Sequence, residues 1–163
     1  MTMPDLAIQD AVHACHLAEG LDAGQLGVLA GLMSLQACQA QQVLAAEGEV
    51  DDRLYVIVSG SLTLVKHLGT PDESVLATLS AGDFAHELGF LDGTPRYASL
   101  VAASAAQVLL LERSALERLI DSQPRLLYAV LRAILRSVHR VQTRLTLQAT
   151  ELTNYVVKQH GRY

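Results

Sequence analysis

The sequence predicts a mainly β domain, an antiparallel sandwich or barrel with helices at both ends. Between about Leu35 and Leu111, short apolar runs (LYVIVSG, SLTLVKHL, SVLATLS, ASLVA, AQVLLLE) are separated by the turn signals GEVDD, Gly60-Ser61, GTPDE, AGD and DGTP, the pattern of several short strands at regular spacing. On either side the apolar period changes to that of a helix. The 163 residues are half hydrophobic, only 4% aromatic and without Trp. That is about one domain with a core of Leu, Val, Ala and Ile, long enough to fold without staples.

Taken in order, Leu6 to Glu19 places Ile8, Ala11, Val12 and Cys15 at helical spacing and ends at Gly20. His13, Cys15 and His16 lie close together there. Metal ligation needs a further ligand from elsewhere, so they read as an ordinary helix face. A second helix is predicted over Ala23 to Met33, with Asp22 as its N-cap. In the strand region, the register of SLTLVKHL stays open between its two faces, and His67 reads as a surface residue at a strand end. After Arg113, SALERLIDS forms a short amphipathic helix stopped before Pro124. A long helix then starts at Pro124, where proline suits the first turn.

In that long helix Leu127, Leu131, Ile134, Val138, Val141, Leu145, Gln148, Leu152 and Tyr155 alternate in steps of four and three. A seven-residue repeat held for about four heptads is a coiled-coil seam. Leu126, Val130 and Leu135 lie off the seam and are expected to face the barrel. A helix of some 30 residues runs for about 45 Å, more than one small barrel can cover. The second side therefore predicts a homodimer, with Gln148 as the polar residue that fixes register.

The stretch Gly82 to Ser99, GDFAHELGFLDGTPRYAS, concentrates one acid (Glu87), one base (Arg96) and the small or turn-forming Gly82, Gly89, Gly93, Pro95 and Ala98 between two strand-like runs. Ordering so much glycine is costly in backbone entropy. Two readings fit. One is a pocket in which backbone N–H groups and Arg96 hold a small anion while Glu87 accepts from a neighbouring hydroxyl. The other is a glycine-rich hairpin with Glu87 and Arg96 as a structural ion pair.

The net charge of −5, without a basic block, argues against a nucleic-acid or anionic membrane surface as the main partner. Cys15 and Cys38 fit a reducing cytoplasm better than a disulfide framework. The N-terminus has Asp5 and Asp10 where a secretory signal would carry lysines. The apolar segment Leu126 to Val141 contains Arg132, Arg136, His139 and Arg140, so it is no membrane span. Ser99 or Cys38 with His86 form no activated nucleophile–base arrangement. The expectation is a cytoplasmic, non-enzymatic protein with no metal or other cofactor.

Two motifs make the chain resemble the cyclic nucleotide-binding domain, the module of the bacterial catabolite activators and of the regulatory subunits of cAMP-dependent kinase. VLAAEGEVDDRLYVIVSGSLTL resembles that family's strand–turn–strand signature, with Gly48, Leu54, Tyr55, Ile57 and Gly60 in place, and GDFAHELGFLDGTPRYASLVA is similar to its phosphate-binding cassette. The resemblance spans about Leu21 to Ala149. It implies a β-jelly roll over 34–112 with the cassette at 82–99, N-terminal helices over 1–33, and C-terminal helices over 113–155 that end in a dimerisation helix, all within one domain over 1–163. It implies Glu87 for the ribose hydroxyl and Arg96 for the cyclic phosphate of cAMP or cGMP, with Leu88, Tyr97 and Ala98 beside them.

The resemblance has departures. His86 stands where the family usually has glycine, and Tyr97 where it usually has a small residue, so both are candidate pocket-blocking residues. Near the positions that meet the base, Val141 cannot hydrogen-bond and Gln142 or Thr143 takes that role. Only NYVVKQHGRY follows Thr153, too little for the family's helix-turn-helix. The resemblance thus implies a homodimeric sensor whose C-terminal helix moves on binding and is read by an unknown effector protein, without direct DNA binding. A dimeric adaptor that has lost the ligand is the alternative.

Overall fold

The computed structural model describes residues 3–160. At the N-terminus, α1 (Met3–Ala14) leads through a 3-10 turn (His16–Ala18) into α2 (Ala23–Gly31). Asp22 caps α2 as expected: its carboxylate accepts from the Gln25 N–H while the Gln25 side chain accepts from the Asp22 N–H, a reciprocal capping box. The helix stops two residues earlier than predicted, because Met33 already belongs to a strand.

Eight strands follow in two antiparallel sheets: β1 (Met33–Cys38), β2 (Val43–Ala45), β3 (Arg53–Ser59), β4 (Ser61–Lys66), β5 (Ser74–Ser80), β6 (Phe84–Ala85), β7 (Ser99–Ala102) and β8 (Ala106–Glu112). One sheet has the order β1-β8-β3-β6 and the other β2-β7-β4-β5. The strand order crosses repeatedly between distant segments, the jelly-roll arrangement expected. The five runs read as strands are β3, β4, β5, β7 and β8.

β3 pairs with β8 at Tyr55↔Leu110 and Val56↔Leu109, and both strands are buried on both faces. Tyr55, Ile57, Val108 and Leu110 point between the sheets to meet Leu62, Leu100 and Ala102. Leu54, Val56, Leu109 and Leu111 point the other way, into a second core with Leu26, Leu29, Leu126, Val130 and Ile134 of the helices. Period-2 alternation thus serves two apolar layers at once. The β3–β4 turn needs Gly60: φ is +75°, and a Cβ there would collide with the Ala105 carbonyl and lie 2.8 Å from Ala106 Cα.

Beyond β8, the segment read as one short helix is broken at Arg118 into α4 (Arg113–Glu117) and α5 (Leu119–Ser122), after a six-residue α3 (Glu87–Asp92) inside the cassette. α6 (Pro124–His160) starts at the predicted proline. Its N-terminal half is spoken for. Leu126, Val130, Ala133 and Ile134 are fully buried in the domain's own core, so Ile134, assigned to the seam, packs inward, while Leu135, expected to face the barrel, is 60% exposed. Arg136 and Arg140 bracket Glu19, at 3.5 Å (Nε–Oε2) and 3.3 Å (Nη1–Oε1), and tie the helix to the N-terminal segment. The seam side chains Val141, Leu145, Gln148, Leu152 and Tyr155 lie outside the described residues. No described helix is long and apolar enough to cross a membrane.

Candidate functional site: the cassette and its arginine

The site is made where the two motifs meet. In the β2–β3 connection the Gly48 N–H donates to the Arg96 carbonyl at 2.8 Å, and the Arg96 N–H donates to the Glu49 carbonyl at 2.8 Å. Ser99 Oγ accepts from the Glu47 N–H at 3.0 Å. The arginine backbone is therefore stitched to a turn 45 residues away that also supplies Asp51. On the other side, Gly82 N–H donates to Ile57 O at 2.8 Å and Ile57 N–H to Asp83 O at 2.9 Å, which holds the cassette's start against β3. His16, one of the three clustered N-terminal residues, donates from Nδ1 to the Gly82 carbonyl at 2.8 Å, and Cys15 Sγ donates to Val12 O at 3.0 Å. Both thereby pin backbone.

The Arg96 side chain is only 2% exposed. Its Nη2 pairs with Asp51 Oδ2, and its guanidinium lies 5.0 Å over the Tyr55 ring. The Glu87–Arg96 ion pair left open by the sequence does not form; the counter-ion is Asp51. That carboxylate also accepts from Tyr55 Oη at 2.9 Å and from Arg53 Nε at 3.0 Å. Burial alone would raise its pKa, but Arg53, Tyr55 and Arg96 together hold it below the usual carboxylate range. Burial, with the nearby Asp51, pushes the Tyr55 phenol up to about 12. Two further nitrogens of Arg96, Nε and Nη1, are buried with no hydrogen-bond partner among the described residues.

Beside this network opens a cavity of about 660 Å³, walled by the cassette from His86 to Gly89 and from Thr94 to Ala98, by Leu64 and Leu76 of the barrel, and by Val138, Gln142 and Thr146 of α6. Its size suits a nucleotide-sized ligand. Of the residues picked from sequence, Glu87, Leu88, Arg96, Tyr97, Ala98, His86 and Gln142 line it, and Thr143 does not. Thr146, missed by the sequence reading, takes the next turn of the helix and donates from Oγ1 to the Gln142 carbonyl at 3.0 Å. The i, i+4 step from Gln142 was the available signal. A second hollow of about 540 Å³ is lined by four acids, Glu49, Asp51, Asp52 and Glu112, against one base, Arg53, a net negative lining that disfavours a phosphate.

Each cassette side chain has a distinct state. Burial raises the Glu87 carboxyl above its ordinary range, partly opposed by its own backbone N–H, and among the described residues it has no ion-pair partner. Tyr97 is 71% exposed. It does not plug the cavity, as the sequence allowed, but stands on the rim with Lys66 Nζ 4.3 Å over its ring. His86 caps α3 with φ +68°, a left-handed backbone that explains why glycine suits the position. Its ring stands edge-on to Tyr55 with centroids 6.4 Å apart, and its Nε2 is buried without a partner among the described residues.

Compared with models of known families, residues 35–123 match the one described as cyclic nucleotide-binding domain. The chain belongs to the cyclic nucleotide-binding domain family. It is 30% identical over 115 residues, 70% of its length, to the CRP-like cAMP-activated global transcriptional regulator of Mycobacterium tuberculosis, and spans about half (51%) of that curated relative. Among solved structures it resembles a cyclic nucleotide-binding domain from Methylobacillus flagellatus, with TM-score 0.71, 25% identity and coverage of 95% of this chain and 83% of that one. It also resembles the N-terminal domain of a transcriptional regulator from Streptomyces coelicolor, with TM-score 0.69, 28% identity and coverage of 83% and 95%. In this cyclic nucleotide-binding domain the matched span runs from β1 to just short of α6 and contains the whole cassette.

Proposed function

We propose that the protein is a non-enzymatic, cytoplasmic regulatory module that binds a cyclic nucleotide, cAMP or cGMP, in the cavity beside Arg96. One observation carries this reading: a buried guanidinium with two N–H-bearing nitrogens lacking an acceptor among the described residues, on the wall of a nucleotide-sized cavity. Leaving such donors unmet is costly, and a phosphodiester supplies planar, charged acceptors for them. Arg96 takes the cyclic phosphate. Glu87, which needs a donor, takes the ribose hydroxyl. Leu88, Tyr97 and Ala98 flank the sugar-phosphate, and Gln142, with Thr146, faces the base. Because Val138, Gln142 and Thr146 belong to α6, a ligand touches barrel and helix together and shifts how one sits on the other. The exposed apolar face of α6 joins two copies into a homodimer, and an effector protein reads the change.

Calorimetric titration with cAMP and cGMP tests this, with Arg96→Ala as control. Saturable heat that the substitution abolishes is expected. Silence at high micromolar nucleotide, or an unchanged signal in the variant, overturns the reading. A second reading is favoured by the Asp51 pairing: an internal carboxylate already answers Arg96, as in a dimeric adaptor that needs no ligand. It predicts a melting temperature indifferent to nucleotide, whereas binding must raise it by mass action.

A further inference from the structure

His86 is a cassette residue whose chemistry the nucleotide reading leaves unused. Its ring lines the cavity with Arg96 and Glu87, and it packs edge-on against the same Tyr55 ring that lies under the guanidinium. Its Nε2 and the Nε and Nη1 of Arg96 are three buried nitrogens without a hydrogen-bond partner among the described residues, gathered around one tyrosine. A structural histidine would use its second nitrogen as His16 uses Nδ1, on a backbone carbonyl. Here Nε2 has no partner among the described residues. We propose that His86 is a further anion-binding residue of this site and takes up a proton from solvent as the cyclic phosphate enters, so that nucleotide affinity is set by pH. The inference rests on the cyclic nucleotide reading and adds to it a ligand contact and a mode of regulation.

The surroundings fix the direction of the effect. Burial, then the positive charge of Arg96, hold the imidazole neutral and lower its pKa to about 4, with Asp51 opposing. A phosphodiester brings a permanent negative charge, which offsets the second cause and raises the imidazole's pKa toward its protonated form. The other groups facing the ring do not mimic this. The Asp51 carboxyl sits below its ordinary range and stays ionised. The Tyr55 phenol, pushed up to about 12, stays neutral, and Arg53, raised by its bond to Asp51, stays charged. Among the described residues, α6 contributes Val138, Gln142 and Thr146 to the cavity, none of them titratable. Glu87 also lines the cavity, its carboxyl raised by burial, and accepting from a ribose hydroxyl favours its carboxylate, the opposite sign.

The test is calorimetric titration of the full chain with cAMP and cGMP at pH 8, 6.5 and 5.5, each in two buffers of different protonation heat. The wild type and His86→Gln, which keeps a neutral donor, are compared. The expected result is affinity that tightens as pH falls, by up to about tenfold per pH unit. Net proton uptake should accompany it, and both should be absent in H86Q. On the wild type alone, imidazole nitrogen NMR at pH 5.5 should show His86 neutral without nucleotide and charged with it. Binding whose pH profile is the same in H86Q, or a His86 ring that stays neutral in the complex, overturns this inference and leaves the cyclic nucleotide reading standing. Absence of binding at every pH overturns both.

Discussion

At the scale of single residues, His86 makes a stability prediction separate from its role toward a ligand. Its pKa in the folded protein, about 4, lies below the usual histidine value. The unfolded chain therefore takes up a proton first as pH falls, and stability drops between roughly pH 6.5 and pH 4, by an amount on the order of 2–3 kcal/mol. Urea denaturation at pH 8 and pH 5 measures it. His86→Gly removes both the buried base and the left-handed strain, so it should stabilise the protein by about 1 kcal/mol at pH 8 and by more at pH 5. A variant that melts with the same pH slope as wild type would contradict this. The sequence, with an imidazole in place of a glycine, allowed an obstruction of the ribose or a different backbone angle, but not a buried, neutral base. What decides its character is a backbone angle and a buried nitrogen, and neither leaves a local pattern. The counter-ion of Arg96 was hidden for a different reason: Asp51 lies in another turn and reaches the site only through tertiary contact, while Glu87, nearby in sequence, made the more obvious pair.

At the scale of elements, the strands most easily read were those with long apolar runs. β3, β4, β5, β7 and β8 followed their sequences, whereas β6 is two residues long and β2 three, too short for any period to show. β3 and β8 are buried on both faces, so alternation there could not reveal which residues face the barrel and which the helices. The same two-sidedness misassigned α6. Ile134 satisfies a heptad, yet the domain's own core claims it, because the first turns of the helix pack against that core through Leu126, Val130 and Ala133. Two substitutions test the elements directly. Asp22→Ala removes the capping box of α2 and should cost about 1 kcal/mol. Gly60→Ala must move the Ala105 backbone or distort the β3–β4 turn, and should cost more than the cap does. Thermal melts rank the two, and the reverse order would mean that the turn relaxes freely.

At the scale of the whole molecule, the family was legible because both motifs are long and ordered along the chain. The exposed Leu135 and Leu147, each about 60% accessible, give the homodimer proposal a direct test. Wild-type protein should sediment as a dimer, and Leu135→Lys with Leu147→Lys should sediment as a folded monomer with unchanged circular dichroism. A monomeric wild type would refute the proposal. Ile134→Ala acts on the other face of the same helix and should instead destabilise the fold by about 2–4 kcal/mol.

The stitched main chain at Arg96 limits how any signal can leave this pocket. A residue whose amide and carbonyl are both anchored to the Gly48–Glu49 turn cannot swing on a hinge; only its side chain is free to change partners. The message must therefore depart through what surrounds that anchor, the short cassette helix and the long arm beyond it. In deuterium exchange the amides of Gly48 and Arg96 should stay as slow as the barrel's strands, with or without nucleotide, while those of α3 respond.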